Sequence, residues 1–181
     1  DYVDDETYGG PFRLDDLVEQ VLNQTNMPRV RLTSLEPIEI TEKLMRLFHN
    51  PKMCPHFHMS LQSLSTPVLK GMRRQYSAEQ VGEALKWINK EHPEAFIGLD
   101  VIVGFPGETD ELFTETMENL KKWPWSRIHV FPYSERNGTR AAEMDGVVPV
   151  ATRKSRAKLM RELSLERYDL LAAEQVGKTK E

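Results

Sequence analysis

The stretch 96–109 constrains the fold of this chain more than any other part of the sequence. It begins as an almost uninterrupted apolar run, typical of a strand that is buried on both faces in a parallel sheet, and only Asp100 interrupts it. Gly-Phe-Pro-Gly then stops the strand, and Thr109 or Asp110 can cap the helix that follows. Because ligands gather at the carboxyl ends of strands in α/β folds, we expect a site within 104–108.

The rest of the chain alternates predicted strands with predicted helices, and no hairpin signal separates the strands. This order predicts a parallel sheet with right-handed crossovers. Because polar groups follow one face of two strands, an interior that can hold a ligand is favoured, and we predict a partial TIM-like barrel. The other predicted strands cover 29–35, 56–62 and 127–133, and the predicted helices cover 12–24, 40–48, 67–74, 77–91, 111–122 and 152–175.

Composition excludes several classes of protein. Hydrophobic residues make up 39% and charged residues 29% of the 181 residues, which is typical of a soluble globular domain. No apolar stretch reaches the roughly 18 residues that a membrane span needs, and the acidic start is unlike a signal peptide. The net charge of −4 does not indicate nucleic-acid binding. The single cysteine, Cys54, excludes an internal disulfide framework and is consistent with a cytoplasmic protein.

The alternation within the predicted strands separates a polar face from an apolar one. If the strands line a barrel, the polar face points inward, and a core without a ligand would not tolerate so many polar groups. The inward residues are His56, His58, Ser60, Gln62, Gly98, Asp100, Gly104, His129, Phe131 and Tyr133.

One interpretation of this face is a metal-dependent barrel hydrolase. His56, His58, Asp100 and His129 are ligand types that divalent metals prefer. The His-x-His pair lies on the second predicted strand rather than the first, however, and inner-face histidines are commonly hydrogen-bonded rather than metal-bound.

The other interpretation is a small-molecule site. Glycines on the strands admit a ligand close to the backbone, and Gln62, Asp100 and Tyr133 orient it.

Five motifs occur in order along the chain and carry a family resemblance. Together they closely resemble the radical S-adenosylmethionine (SAM) domain of the methylthiotransferases, over about 8–177. The first motif looks most like the branch that acts on threonylcarbamoyladenosine in tRNA. The motifs are RLTSLEP at 31–37, HMSLQS at 58–63, VLKGMRRQY at 68–76, DVIVGFPGET at 100–109 and FPYS at 131–134.

The resemblance implies an enzyme with a (β/α)6 partial barrel. It implies a [4Fe–4S] cluster that reductively cleaves SAM to a 5′-deoxyadenosyl radical, which takes a hydrogen from carbon 2 of adenosine 37 in tRNA before a methylthio group is installed. It also implies an N-terminal domain with a second cluster and a C-terminal RNA-binding domain. A protein that binds SAM or RNA without catalysis is the remaining alternative.

The resemblance also exposes departures from the family pattern. The Cys-x-x-x-Cys-x-x-Cys motif of the cluster is absent, and Cys54 alone cannot replace it. We therefore expect an inactive fragment that contains the last four barrel strands, with the second strand degraded at 1–7. The expected domains are a partial barrel at 1–176 and the start of the RNA-binding domain at 177–181. Missing strands would leave an open sheet edge, through which we expect a homodimer.

Roles follow from the resemblance for ten residues, and none of them is assigned to catalysis or to a metal. Gln62 and Ser63 would contact the ribose or the methionine end of SAM, and Arg74 would pair with its carboxylate or form a solvated helix charge. The expected SAM-binding residues are Gln62, Ser63, Arg74, Asp100, Gly104, Phe131, Tyr133 and Ser134, and the expected substrate-binding residues are Ser34 and Glu36.

The last predicted helix begins with a basic segment. It would form either a strip that faces tRNA phosphates or a solvated helix face. Its members are Arg153, Lys154, Arg156, Lys158 and Arg161.

Two loops depart from the pattern of the family that the chain resembles. Leu64 stands where the family usually has glycine, and Glu135 stands where it usually has proline, so we expect both loops to be locally altered.

Overall fold

The computed structural model describes residues 4–5 and 10–179 of the chain. Within them, a parallel sheet has the strand order β3-β4-β5, and an antiparallel pair of two-residue strands, β1 and β2, precedes it. The strands are β1 (Asp4–Asp5), β2 (Gly10–Pro11), β3 (His56–Gln62), β4 (Phe96–Val103) and β5 (Arg127–Pro132). The α-helices are α1 (Leu14–Gln24), α2 (Glu42–Leu47), α3 (Thr66–Gly71), α4 (Ala78–Glu91), α5 (Asp110–Lys122) and α6 (Val150–Gln175).

Strand β4 lies at the centre of the sheet, as its apolar sequence predicts. It pairs in parallel with β3 on one side and with β5 on the other, and the register places Asp100 beside His129. Leu99, Val101 and Val103 have no exposed surface. The predicted parallel α/β architecture is therefore confirmed.

Strand β3 has the two faces that its alternation predicts. Phe57, Met59 and Leu61 are fully buried beneath the helices, whereas His58 and Gln62 on the opposite face are half-buried. This opposite face is the inner face of the partial barrel. The sheet therefore presents polar groups to an open interior rather than to a second layer of helices.

The prediction of a strand at 29–35 is wrong, because this segment does not form a regular strand. Its backbone pairs with its neighbours only through two isolated parallel bridges, Val30 with Met53 and Leu35 with Met59. Between them, Ser34 adopts a left-handed conformation with φ of 63°. Such a residue turns the chain out of the extended ladder, so the segment follows β3 without forming a continuous strand beside it.

Helix termini follow their predicted signals. The Ser77 hydroxyl accepts the Gln80 N–H at 3.3 Å, and the Gln80 side chain accepts the Ser77 N–H at 2.8 Å, which is a complete capping box. Thr109 caps α5 by accepting the Leu112 N–H at 3.3 Å. In the described part of the chain, no helix combines the length and the apolar character that crossing a membrane requires.

The basic segment of α6 differs from the expected tRNA-facing or solvated strip at two of its five residues. Arg153 and Arg156 are only 3% and 5% exposed, because both point under the helix into the loops that follow the strands. Lys154 and Lys158 do face solvent, and Arg161 donates to a backbone carbonyl of β5 at 3.1 Å. Arg153 and Arg156 therefore serve packing, whereas Lys154, Lys158 and Arg161, spaced four and three residues apart, remain exposed on one face of α6.

Two expectations concern the chain ends. The degraded strand predicted at 1–7 lies mostly outside the described residues, of which 4–5 pair with 10–11 instead of joining the main sheet. Helix α6 ends at Gln175, close to the predicted domain boundary at 176. That boundary stays a prediction, since 180 and 181 lie outside the described residues.

Candidate functional site

Two adjoining cavities open at the carboxyl edge of the sheet, with volumes of about 520 and 310 Å³. They share Gln62, Ile102 and Ala141. The larger cavity is also lined by Asp100, Phe131, Pro132, Tyr133, Ser134, Arg136 and Thr139. The smaller cavity is also lined by Gly71, Met72, Arg73, Arg74, Phe105, Arg140 and Met144.

Most of the residues expected to bind SAM meet at these cavities. Gln62, Asp100, Phe131, Tyr133 and Ser134 come from three neighbouring strand ends and line one cavity of about 520 Å³. Parallel strands bring their carboxyl ends to one edge, which explains why residues far apart in sequence converge here. Arg74 lies at the smaller cavity, next to Gln62.

Four expected site residues lie elsewhere. Ser63 is fully buried, and its hydroxyl accepts the Ser65 N–H at 3.2 Å. Gly104 is buried against α6, and Ser34 and Glu36 line neither cavity. Of the stretch 104–108, only Phe105 reaches a cavity, whereas Gly104 and Glu108 contact Arg153 and Arg156 of α6.

The loop 136–144 is the part of the site that sequence reasoning missed. It includes a short 3₁₀ turn, Arg140–Glu143, and it returns over the strand ends to contribute Thr139 and Ala141 to the cavity walls. In the sequence, the Asn-Gly turn at 137–138 was the signal for this loop. It indicated a reversal of the chain but not the direction in which the loop would fold back.

Left-handed residues mark the ends of consecutive extended segments. Ser34 has φ of 63°, Gln62 at the end of β3 has φ of 64°, and Gly104 directly after β4 has φ of 75°. For the two residues with side chains this conformation costs about 1–2 kcal/mol. Such strain is typical of positions that the surrounding structure holds for a purpose, and Gln62 lines both cavities.

A hydrogen-bonded row of side chains fixes Asp100 at the cavity floor. The Ser34 N–H donates to His58 Nδ1 at 3.2 Å, so the ring proton lies on Nε2, which donates to Asp100 Oδ1 at 3.0 Å. The second carboxylate oxygen accepts from the Ser60 hydroxyl at 3.5 Å. Asp100 is therefore held in one orientation while its side chain stays 18% exposed to the cavity.

The geometry does not support the metal-hydrolase alternative. His56 accepts a hydrogen bond from Arg31 at 2.8 Å and stacks on Phe96, and burial together with Arg31 lowers its pKa. His129 meets His58 edge to face, with ring centroids 5.6 Å apart. Among the described residues, no three His, Cys, Asp or Glu side chains converge on a point that a metal ion could occupy.

Arg74 forms an ion pair with Glu36. The pair links the residue expected to hold the SAM carboxylate with a residue expected to touch the substrate. Any SAM carboxylate would have to compete with Glu36 for this guanidinium group, or share it.

Buried arginines of α6 hold the loops that follow β4 and β5. Arg153 donates to the Tyr133 carbonyl at 3.0 Å and pairs with Glu135, whose pKa it lowers to about 2. Arg156 donates to Glu108 Oε1 at 2.7 Å. Glu135, the departure from the family pattern in this loop, therefore has a structural partner. The hydroxyl of Tyr133 itself is buried without a hydrogen-bond partner in the described structure.

Comparison with known proteins identifies related sequences. A sequence model for the radical SAM superfamily matches residues 7–120. The threonylcarbamoyladenosine tRNA methylthiotransferase MtaB of Treponema pallidum is 38% identical over 152 residues, which are 84% of this chain and 32% of that protein. MtaB of Thermotoga maritima is 40% identical over 135 residues, or 74% of this chain and 31% of that protein.

Two further comparisons extend the set. The tRNA-2-methylthio-N(6)-dimethylallyladenosine synthase of Endomicrobium trichonymphae is 34% identical over 166 residues, covering 91% of this chain and 40% of that protein. The structure of coproporphyrinogen III oxidase (HemN) from Escherichia coli, a radical SAM enzyme, superposes on 77% of this chain and uses 32% of the HemN chain. The TM-score is 0.62 and the sequence identity is 18%, which shows a shared fold. The chain spans about a third of the length of the curated relatives it matches.

Proposed function

Because this chain belongs to the radical SAM superfamily, we propose that it forms the SAM-binding part of a tRNA-modifying methylthiotransferase. The proposed reaction adds a methylthio group to carbon 2 of N6-threonylcarbamoyladenosine 37. Relatives named for this activity, at 36–40% identity, support the choice. Relatives named for the dimethylallyladenosine reaction, at 34–40% identity, make that nucleoside the competing substrate.

The family implies SAM and [4Fe–4S] clusters as cofactors, and the two groups fit this chain differently. A cluster of this type needs several cysteine thiolates, and the sequence contains one cysteine, the half-buried Cys54. The donor set does not fit a cluster, so we derive no step through one. The cluster thiolates of the proposed enzyme would have to come from residues that this sequence does not include.

SAM fits the larger cavity by the chemistry of its lining. The Asp100 carboxylate is fixed and accessible, the buried Tyr133 hydroxyl lacks a partner in the described structure, and Phe131 offers an apolar face that is 49% exposed. We propose that Asp100 accepts hydrogen bonds from ligand hydroxyl or ammonium groups, and that 131–134 presents backbone groups to the adenine. When bound, SAM supplies the group that removes hydrogen from the substrate.

The convergence of five expected residues on one cavity carries this proposal, and a chimera tests it. In this chimera, the matching segment of the Thermotoga maritima relative is replaced by the residues of this chain that align with it. The purified, cluster-loaded chimera is expected to convert threonylcarbamoyladenosine in tRNA to its 2-methylthio form, detected by mass spectrometry of the nucleosides. A folded, cluster-loaded chimera that yields no methylthio product would refute the proposed function.

Asp100→Ala in the same chimera tests the role of the carboxylate. We expect the KM for SAM to rise about tenfold or more, because a charge-assisted hydrogen bond is worth about 1.5–3 kcal/mol. Asp169→Ala, at an exposed position on α6, is the matched control and should leave KM unchanged. Equal KM values for the two variants would remove Asp100 from the SAM site.

Two further properties belong to this proposal. We propose a cytoplasmic location, since the proposed substrate is tRNA. We also propose a homodimer through the segment 29–35, where Arg31, Thr33 and Ser34 are exposed. Its backbone pairs with its neighbours only through isolated bridges, and we propose that its outer backbone groups pair with a second copy.

A further inference from the structure

A separate pocket of about 320 Å³ opens at the amino edge of the sheet, opposite to the two cavities of the candidate site. Ala95 and Pro124 line it from the loops that enter β4 and β5, and Arg167 and Leu170 line it from the second half of α6. We call it the amino-edge pocket. Its volume lies within the range of pockets that hold small ligands.

Arg167 is the cation of the amino-edge pocket, and the fold satisfies its side chain only in part. One guanidinium nitrogen donates to the Trp123 carbonyl at 2.8 Å, and the guanidinium carbon lies 4.1 Å from the ring centroid of Trp125. Arginine has five N–H donors, so most of its hydrogen-bonding capacity is left for another partner. Burial lowers the pKa of Arg167, and no acidic neighbour within the described structure offsets that loss of water.

The other buried arginines of α6 each have an acidic partner. Arg153 forms an ion pair with Glu135, and Arg156 forms one with Glu108. Among the described residues, no carboxylate forms an ion pair with Arg167. A partly buried guanidinium group without a counterion loses solvation that one carbonyl and one aromatic face restore only in part. An anion from solution would supply the missing partner.

The walls around Arg167 favour an organic anion over an inorganic one. Leu170 leaves 69% of its surface exposed beside the guanidinium group, and Pro93 and Pro124 add further apolar side chains to the lining. Phosphate or sulfate would leave this apolar surface in contact with water. A ligand with an apolar body would cover it, and burial of apolar surface favours binding.

One acidic side chain limits the charge that the amino-edge pocket accepts. Glu174 lines the pocket, is exposed and forms no ion pair with Arg167 in the described structure. Its carboxylate would repel the second negative charge of a phosphate ester or of a chain of phosphates. A single negative charge that pairs with Arg167 matches this arrangement.

We propose that the amino-edge pocket binds a small monocarboxylate with an apolar body, whose carboxylate pairs with Arg167 and whose body packs against Pro124 and Leu170. Arginine pairs with carboxylates through parallel N–H donors, and the Trp125 ring holds the plane of the guanidinium group for that contact. The inference is independent of the proposed function, because this pocket shares no lining residue with the two cavities of the candidate site.

Titration of the full chain with sodium 3-phenylpropionate, followed by NMR, tests the proposal. The indole N–H of Trp125, which donates to the Leu120 carbonyl at 2.7 Å, provides a resonance at the wall of the pocket, and its loss in Trp125→Phe assigns it. We expect this resonance to shift saturably, with a Kd of about 1 mM or lower. The indole resonance of Trp87, which does not line the pocket, should stay in place.

Two matched comparisons isolate the charge. 3-Phenylpropanamide has nearly the same shape without the negative charge, and it should bind about tenfold or more weakly, because hydrogen bonds to charged groups are the stronger ones. Arg167→Gln should weaken the binding of 3-phenylpropionate by a similar factor. Lys154→Gln removes the same charge from an exposed position on α6 and should leave the affinity unchanged.

Two further variants keep Arg167 in place. Ala95→Leu narrows the pocket and should weaken binding about tenfold, since the added side chain takes the space of the ligand body. Glu174→Gln removes the repelling carboxylate and should strengthen binding about two- to fivefold. The amide spectrum of each variant shows whether the fold is retained.

Three results would overturn the inference. The acid and the amide could bind equally well, Arg167→Gln could bind 3-phenylpropionate like Lys154→Gln, or sodium phosphate at the same concentration could shift the Trp125 resonance as far as 3-phenylpropionate does. The last result would indicate a site for anions in general. None of these measurements uses SAM or tRNA, so a failure here leaves the proposed function untouched.

Discussion

Gly104 meets two separate constraints at a single residue. Its φ of 75° lies in the left-handed region, and a Cβ atom at this position would lie 2.4 Å from Cγ of Arg153. The first constraint concerns only the backbone, whereas the second concerns the packing of α6 against the loop. Gly107, three residues later, has φ of 84°, but a Cβ atom there would meet no other atom within 4 Å.

This difference gives a prediction with an internal control. Gly107→Ala should lower the free energy of unfolding by about 1–2 kcal/mol, the cost of a left-handed residue with a side chain. Gly104→Ala should lower it by about 1–3 kcal/mol more, because the Arg153 side chain must also move. Urea denaturation of both variants measures the difference. Equal losses would show that Arg153 yields without cost.

Single residues also show how far the sequence could predict the site. Asp100 was identifiable because a carboxylate inside an apolar run requires a polar neighbourhood, and it does reach the cavity. Ser63 does not, although it follows Gln62 directly. Strand β3 ends at the left-handed Gln62, so Ser63 lies just past the strand, where its side chain is fully buried instead of facing the cavity.

At the scale of elements, α6 shows why burial was harder to predict than helix formation. Its length follows from the sequence, and the observed helix begins two residues before the predicted one. The burial of Arg153 and Arg156 depends on Glu135 and Glu108, which lie on other loops. Periodicity within one helix contains no information on such distant partners, so the arginines read as a solvated or RNA-binding face.

We predict that the Arg153–Glu135 pair makes the docking of α6 dependent on pH. The pKa of Glu135 is lowered from 4.5 to about 2, chiefly by its hydrogen bond to Arg153. For an acid with a lowered pKa, the stabilisation is complete above the unfolded value of 4.5 and is lost as the pH falls toward 2. Glu135→Gln should therefore destabilise the chain at neutral pH and progressively less below pH 4.5.

Denaturation of both proteins across this pH range measures the effect. Glu143→Gln, at an exposed position in the neighbouring loop, is the control and should change stability little at any pH. A Glu135→Gln effect of the same size at neutral and acidic pH would mean that the charge of this carboxylate does not hold α6.

At the scale of the whole molecule, the two edges of the sheet differ. The β5 edge is covered by α6, since Ser164 accepts the Ile128 N–H at 2.9 Å and Arg161 donates to the Val130 carbonyl at 3.1 Å. The opposite edge is the segment 29–35, which has no comparable cover among the described residues. The order of strands and helices was predictable from local patterns, but the protection of one edge depends on side chains of a distant helix.

We predict that the chain self-associates through the uncovered edge. Light scattering should give the mass of a dimer, and Thr33→Pro should shift it to a monomer, because proline removes a backbone donor from that edge. Val147→Pro, in an exposed loop, is the control and should leave the dimer intact. A monomer at every concentration of the unaltered chain would contradict the prediction.

The positions of the three tryptophans determine what intrinsic fluorescence can measure in this protein. None of the three tryptophans lines either cavity. Trp125 is buried under Arg167 of α6, whose guanidinium carbon lies 4.1 Å from the ring centroid. We therefore expect tryptophan emission to change when α6 leaves Trp125 and to change little when a ligand enters the cavities. Tryptophan emission can then follow the docking of the last helix whether or not the site is occupied.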